Sequence, residues 1–474
     1  MSDAEFARLR ELAEEHGQGH IFRWWDDLDA TWREYLLGQV AALDFGELDQ
    51  LIRDHVLSGE SPEEGELVPA EALSLPESSE GDAVRRRAIA IGEDAVRSGH
   101  VAALVVAGGL GTRLKYVPPK GTYPTAPITG KSLFQLHAEK ILAARRRYGV
   151  LIPWYVMTSE ATDAPTRAFF ADHDWFGLGA DSVFFFEQAL SPTVGSQGKT
   201  LGKLLLAEKG ALAMSPNGHG GVLNALRDSG ALADMARRGI RVVSYFQVDN
   251  PLVPPVDPLF LGLHVERKSE FSAKALAKRD CEEGLGAFCY SRGVLKVVEY
   301  SHLPRRYKYA LRPDGRPLFL AGSPAIHAFD VAFLQRLIAD GVSLPYHRAD
   351  KKVKCLDDAG QRVDPATPNG VRFEKFIFDA LPYARNTLVL MADRTEEFAP
   401  IKNKEGEDSP ATARQAQINL FGRWLEAAGV EVPWDEGNAT VPIEISPLYA
   451  LDAEELKRKL PPGIRLNGPL NLQP

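Results

Sequence analysis

The segment Leu104–Gly121 (LVVAGGLGTRLKYVPPKG) holds the residue types best suited to chemistry. An apolar run ends at Gly108 and Gly109, and Gly111, Thr112, Arg113 and the pair Lys120-Gly121 follow. Glycines after a strand let backbone N–H groups approach a phosphate closely, because no Cβ intervenes. Arg113 and Lys120 add positive charge for the same anion. From these residues alone, a glycine turn with two solvated cations would look the same. Two familiar phosphate loops are excluded. The dinucleotide pattern GxGxxG fails, because Leu114 stands where the third Gly belongs. A P-loop needs Gly five residues before GK[ST]. Gly130-Lys131-Ser132 has Thr125 there, and Gly198-Lys199-Thr200 has Thr193. The second candidate is Asp249, which follows the apolar run Val242–Val248. In parallel sheets ligands bind beyond the carboxyl ends of strands, so this carboxylate is expected to face a site. A hard cation such as Mg²⁺ takes one or two carboxylates plus phosphate oxygens. A helix-capping Asp is also common where a strand enters a loop.

The elements that must position these groups are readable from periodicity. Residues 102–107 (AALVVA) form a continuous apolar run, which suits a strand buried on both faces of a parallel sheet. Residues 154–158, 183–186 and 242–248 repeat the pattern, with amphipathic helical stretches between them. Ser132 and Gln135 predict a capping box ahead of the helix that carries Phe134, Ala138, Ile141 and Leu142. Alternating strands and helices predict an α/β domain with a mostly parallel sheet. Residues 5–57 read as helices, 58–80 as an irregular connector rich in Pro, Gly, Ser and Glu, and 82–98 as a further helix. The expected division is a helical N-terminal region over 1–95, a catalytic domain over 96–390 and a small mixed domain over 391–474.

Length and composition narrow the function. The chain has 474 residues, room for about three domains at ~150 each, and 45% hydrophobic residues, enough for large cores without staples. Its 55 Lys+Arg against 64 Asp+Glu give a net charge of −9, which argues against a nucleic-acid coat but not against a local basic site. Cys281, Cys289 and Cys355 are too few and scattered for a disulfide framework, and no pair has CxxC spacing for zinc. Residues 1–20 lack an apolar signal core, and no apolar run approaches the ~20 residues that span a bilayer. The expectation is a soluble, cytoplasmic protein in a reducing compartment, without membrane or nucleic-acid partners.

The glycine loop does not stand alone. The chain resembles the eukaryotic-type UDP-sugar pyrophosphorylase family, and within it most the UDP-N-acetylhexosamine pyrophosphorylase branch. The family's GGxGTRLG…PKG loop reads here Gly108–Leu114 and Pro119-Lys120-Gly121, with Lys115 in place of the last Gly of its first part. Further blocks follow in family order: Lys131–Gln135, Met157–Glu160, Phe185–Gln188, Met214–Gly221, Val248–Asn250 and Val297–Ser301. Pro368–Asp379, Glu397–Asn403 and Ser409–Arg414 complete the series. Each block alone is weak; the ordered series over roughly 100–450 is specific. The resemblance implies a Rossmann-like, GT-A-like nucleotidyltransferase centre with a helical N-terminal region and a small C-terminal domain. It also implies the reaction of UTP with a sugar 1-phosphate, giving a UDP-sugar and pyrophosphate with Mg²⁺ as cofactor. By carry-over, Arg113, Lys120 and Lys402 neutralise phosphates. Gly108, Gly109, Gly111, Thr112, Gln188 and Gly218 bind the nucleotide, Gln188 and the Gly218 backbone reading uracil. Gly286, Glu299, His219 and Ser323 border the sugar, and Asp249 holds the metal.

Such chemistry needs no general base, because a sugar phosphate is mostly dianionic at pH 7, its second pKa being about 6. The obstacle is gathering several negative phosphates, so catalysis is expected to rest on positioning and charge neutralisation. Two departures fall on the sugar side. His219 and Ser323 both stand where the N-acetylhexosamine branch carries Asn, and the Gly218-His219-Gly220 triplet resembles the UDP-glucose and broad-specificity branches. N-acetylglucosamine 1-phosphate is the expected acceptor, with glucose 1-phosphate or a broader range as the alternative. A non-catalytic nucleotide-sugar sensor on the same fold would need a degenerate site, against which Arg113, Lys120, Asp249 and Lys402 all argue.

Overall fold

The computed structural model describes residues 3–58 and 65–474. They fall into two compact units. The first comprises Met1–Gly65, Gln188–Val222 and Ser343–Asp379; the second comprises Glu66–Glu187, Leu223–Val342 and Ala380–Pro474. Both are discontinuous, whereas the regions expected from the sequence are consecutive. The physical reason in the first unit is a shared core. Leu9, Leu36, Val40 and Leu48 of the N-terminal helices pack with Val194, Leu206, Val371 and Phe373 of the two later excursions. In the second unit the helix Ser79–Arg97 joins the α/β core by packing against Pro258–Glu266, where a Cβ on Gly262 would lie 1.7 Å from the Ala88 carbonyl oxygen.

The second unit is built on the buried apolar runs. Val101–Val106, Trp154–Thr158, Val183–Glu187 and Val242–Gln247 are parallel neighbours in one sheet. Every residue of Val101–Val106 is buried, as a strand covered on both faces requires. Beyond Val242–Gln247 the sheet changes sense. His327–Asp330 pairs antiparallel with it and with Phe271–Ala277, and Ala321–Ser323 and Gly286–Ser291 continue the antiparallel side. The expected connector contributes a short strand, Leu67–Pro69, antiparallel to Gly286–Ser291; residues 59–64 of it lie outside the described residues. The carboxyl-terminal stretch has an apolar cluster of its own around Ile418, Leu425, Ile443 and Leu456.

The helix Leu133–Tyr148 matters most for the site. Ser132 caps it by accepting the Gln135 N–H at 3.1 Å. The reciprocal half of the box is replaced: the Gln135 amide donates to Glu139 at 3.0 Å instead. Among the described residues no helix is long and apolar enough to cross a membrane.

Candidate active site

The glycine loop leaves the end of Val101–Val106 and folds back on itself, with the Lys120 N–H donating to the Gly109 carbonyl at 3.3 Å. Gly121 lets this turn approach the Leu133–Tyr148 helix: a Cβ there would lie 2.2 Å from the Phe134 ring. By contrast, nothing of the protein lies within 4 Å of a Cβ on Gly109, so its loop is open where a phosphate would approach. Thr112 and Arg113 are exposed beside it, and Arg113 forms no ion pair among the described residues. Lys115 has the left-handed backbone (φ 55°, ψ 34°) that the Gly of the resembled loop pattern would adopt without strain. Its side chain is solvent-exposed, so only backbone strain opposes it. Lys115→Gly is therefore expected to change stability by less than ~1 kcal/mol, relief of strain offsetting the added freedom of the unfolded chain. Lys115→Val, β-branched at the same φ, should lose ~1–2 kcal/mol. Urea midpoints of the three proteins check both.

Val248 extends the central strand by donating to the Val106 carbonyl, so Asp249 emerges beside the start of the glycine loop. Its Oδ2 accepts from Lys120 Nζ at 2.8 Å, and the two side chains keep 18% and 16% exposure, enough to meet a ligand. Burial alone would raise the Asp249 pKa. The ammonium charges of Lys120 and Lys402 outweigh it and hold the carboxyl below the usual range. Lys402 is tied to the same place through its neighbour: the Ile401 N–H donates to the Asp249 carbonyl at 2.9 Å. Its ammonium lies over the Phe398 ring and 4.0 Å from Asp408, lining a cavity of about 120 Å³ with Arg279, Glu283 and Leu285. Thus Lys120, Asp249 and Lys402, separated widely in sequence, converge.

Two further residues hold the Asp249 segment, and sequence reasoning did not assign them. His137 donates from Nε2 to the Val248 carbonyl at 3.1 Å, and Lys140 Nζ donates to the Pro251 and Val253 carbonyls at 2.5 and 2.9 Å. Burial pushes His137 down to about 3 and Lys140 down to about 7, so the imidazole is neutral and its Nε2 carries the proton. Their i, i+3 spacing on an otherwise apolar helix face was the available signal. A much larger cavity, about 490 Å³, lies behind this segment between Lys140, Leu252, Pro255, Phe421 and Trp424; none of the expected site residues lines it.

No cluster of three or more His, Cys, Asp or Glu suited to a metal exists among the described residues. A magnesium site completed by substrate does not need one, since one carboxylate plus phosphate oxygens and water suffices. The partly exposed Asp249 carboxylate at the mouth of an open glycine loop fits that donor set.

Three of the residues expected around the sugar, Gly286, Glu299 and Ser323, also converge. Gly286 and Ser323 are direct partners across adjacent strands. A Cβ on Gly286 would lie 2.7 Å from Val297 and 3.3 Å from a Glu299 carboxylate oxygen. Glu299 is therefore turned toward the Gly286–Ser323 pair and is not a solvated strand charge.

Gln188, Gly218 and His219 belong to the first unit. Leu190 pairs with Pro216 and the Asn217 N–H donates to the Ala189 carbonyl, so the register places the buried Gln188 opposite Gly218. Gly218 has φ +84°, and a Cβ there would lie 2.4 Å from the Lys375 carbonyl oxygen, so this backbone admits only glycine. His219 accepts the Ile377 N–H at Nδ1, 3.2 Å away, and packs against the Phe376 and Phe378 rings. Burial, with His347 nearby, lowers its pKa to about 4. The neutral ring keeps its proton on Nε2 and can offer a ligand a donor only. Phe373 and Phe378 are core residues, whereas Phe376 is half-buried.

The family model described as UTP–glucose-1-phosphate uridylyltransferase matches residues 60–407. The UDP-N-acetylhexosamine pyrophosphorylase-like protein 1 of Xenopus tropicalis is 37% identical, over 94% of this chain and 93% of its own. The UDP-N-acetylglucosamine pyrophosphorylase of Saccharomyces cerevisiae is 34% identical, over 89% of this chain and 92% of its own. A crystal structure of the Trypanosoma brucei uridine diphosphate N-acetylglucosamine pyrophosphorylase with an inhibitor has TM-score 0.82 at 25% identity, covering 100% of this chain and 98% of that one. Carried by that match and by relatives aligned over nearly its whole length, the chain belongs to the UTP–glucose-1-phosphate uridylyltransferase family.

Proposed function

We propose that the chain transfers the uridylyl group of UTP to a sugar 1-phosphate, with N-acetylglucosamine 1-phosphate the favoured acceptor. The carrying observation is the Lys120–Asp249 pair, 2.8 Å apart, at the carboxyl end of the parallel strands and beside an open glycine loop. A phosphate oxygen of the sugar attacks the α-phosphorus of UTP, the bond to the β-phosphate oxygen breaks, and pyrophosphate leaves. The glycine-loop backbone with Arg113 holds the triphosphate, and Lys120 and Lys402 offset the charge that gathers around the α-phosphorus. Asp249 would hold Mg²⁺, which when bound supplies further charge neutralisation on the phosphate oxygens. Gln188 and the Gly218 backbone are assigned to uracil, because an amide donates and accepts at once. Gly286, Glu299, His219 and Ser323 are assigned to the sugar. The names of the relatives favour the N-acetylated acceptor. The net charge of −9 supports small anionic substrates at a local basic site over a nucleic acid, and a cytoplasmic setting fits both.

Ser323 supports a second reading within the same chemistry, in which glucose 1-phosphate is also used. Ser is shorter than Asn and leaves space in the strand pair with Gly286, while His219 has only its Nε2–H to offer. A pocket that merely tolerates a missing acetamido group discriminates by ~1–3 kcal/mol, roughly 10–200-fold. Pyrophosphate release from UTP and Mg²⁺ with a panel of sugar 1-phosphates is the test. The expected outcome is kcat/KM for N-acetylglucosamine 1-phosphate within that range above glucose 1-phosphate, widened by the double change Ser323→Asn with His219→Asn. Discrimination above ~10⁴-fold in the wild type would show a site built on specific polar contacts and sink the tolerant pocket. No release with any sugar phosphate would favour the sensor.

A further inference from the structure

We infer that Asn250 is a positioning residue, coupling the Asp249 carboxylate to the segment that carries Lys402. The inference rests on the proposed roles of Asp249 and Lys402. Asn250 is 4% exposed. Its Nδ2 donates to the Glu397 carbonyl at 2.6 Å, and its Oδ1 accepts the N–H groups of Ala399 at 3.0 Å and Leu252 at 3.2 Å. The Leu252 contact is an ordinary Asx turn, which would by itself explain an Asn after a strand. The other two contacts do something more. One planar amide grips the backbone of 397–399 by an acceptor and a donor two residues apart. Two residues on, the Ile401 N–H reaches the carbonyl of Asp249, and Lys402 follows.

The rest of the segment is fixed at both ends. The Glu397 carboxylate pairs with the buried Lys274, which also holds Asp257. Past Lys402 the chain closes on itself, the N–H groups of Lys402 and Asn403 both donating to the Asp408 carbonyl at 2.6 and 2.9 Å. Between these anchors Asn250 and the adjacent Asp249 carbonyl supply the hydrogen bonds that tie 397–401 to the strand end, beside the buried Phe398 and Ile401 side chains. The requirement is for a side chain that donates and accepts in one plane at this length, which only Asn meets. Asp would keep both acceptor bonds but face the Glu397 carbonyl with a negative oxygen. Ala would leave the Ala399 N–H and the Glu397 carbonyl without their partner.

A cycle of Asn250→Ala, Lys402→Ala and the double variant tests this, with turnover, UTP affinity by calorimetry and thermal unfolding measured for each. Asn250→Ala is expected to lower kcat ~10–100-fold, the scale of an ångström's misplacement of a reacting group, with UTP affinity within ~3-fold of wild type. On the Lys402→Ala background the same change should cost less than ~3-fold, because the group it positions is gone. Should Asn250→Ala not fold, Asn250→Asp carries the same cycle, its donor replaced by a carboxylate oxygen while both acceptor bonds are kept. Equal losses on both backgrounds would overturn the coupling while leaving Lys402 in place. Near-wild-type turnover of Lys402→Ala alone would remove the role of Lys402 and the inference with it.

Discussion

Asp249→Asn is expected to lower turnover by at least ~10³-fold, several kcal/mol of transition-state stabilisation at 1.36 kcal/mol per decade. The amide preserves shape, so the fold should survive; the loss is electrostatic and twofold. The charge that would hold Mg²⁺ against the phosphates disappears. Lys120, whose ammonium is 2.8 Å from the carboxylate, also loses the partner that aims it. A second consequence separates this from a generally damaged site. Asp249 stands between two cations, Lys120 and Lys402, whose charges lower its pKa. Removing its negative charge should leave UTP affinity without metal unchanged or tighter, since a repulsive group facing the phosphates has gone. Calorimetry with UTP and chelator, set beside turnover in saturating Mg²⁺, reads both effects. Near-normal turnover would take Asp249 out of the metal site, and weakened metal-free binding would contradict the assigned charge balance.

What the sequence shows of this site follows from which interactions are local. The strands that end at the site are readable because both their faces are buried, which makes each an unbroken apolar run; Val101–Val106 and Trp154–Thr158 are buried at every position. The glycine loop and Asp249 are readable because each lies where such a run stops. The sugar cluster needed the family resemblance: Glu299 sits after a strand of mixed burial, and its direction depends on pairing between Gly286 and Ser323. The first unit was not legible as a unit, since it unites the N-terminal helices with two excursions far along the chain. Asn250 meets Glu397 and Ala399 across separations of 147 and 149 residues, and no periodicity records such contacts. His219 shows the opposite limit: its identity was plain, but only the structure reveals that Nδ1 is occupied by the Ile377 N–H.

Lys120→Ala and Lys402→Ala are expected each to lower kcat by ~10²–10³-fold, the scale of removing one preorganised group from a developing charge. UTP affinity should change far less, because the two ammonium groups matter most when negative charge concentrates around the α-phosphorus. The geometry makes the two variants differ in kind. Lys120 is hydrogen-bonded to Asp249 at rest, so its loss also frees the carboxylate and should weaken the dependence of turnover on Mg²⁺ concentration. Lys402 is held by its backbone, its ammonium 4.0 Å from Asp408 and 32% exposed, and it acts on Asp249 through its charge without a hydrogen bond, so its loss should shift that dependence less. Lys120→Arg should not restore activity, since the planar guanidinium cannot reproduce a point charge within 2.8 Å of one carboxylate oxygen in a part-buried turn. Steady-state kinetics across UTP and Mg²⁺ concentrations, with single-turnover rates to separate chemistry from release, measure all of this. If both alanine variants moved only the apparent UTP affinity and left single-turnover rates alone, the lysines would be ground-state binders, and charge neutralisation at the α-phosphorus would have to come from Arg113 and the glycine-loop backbone.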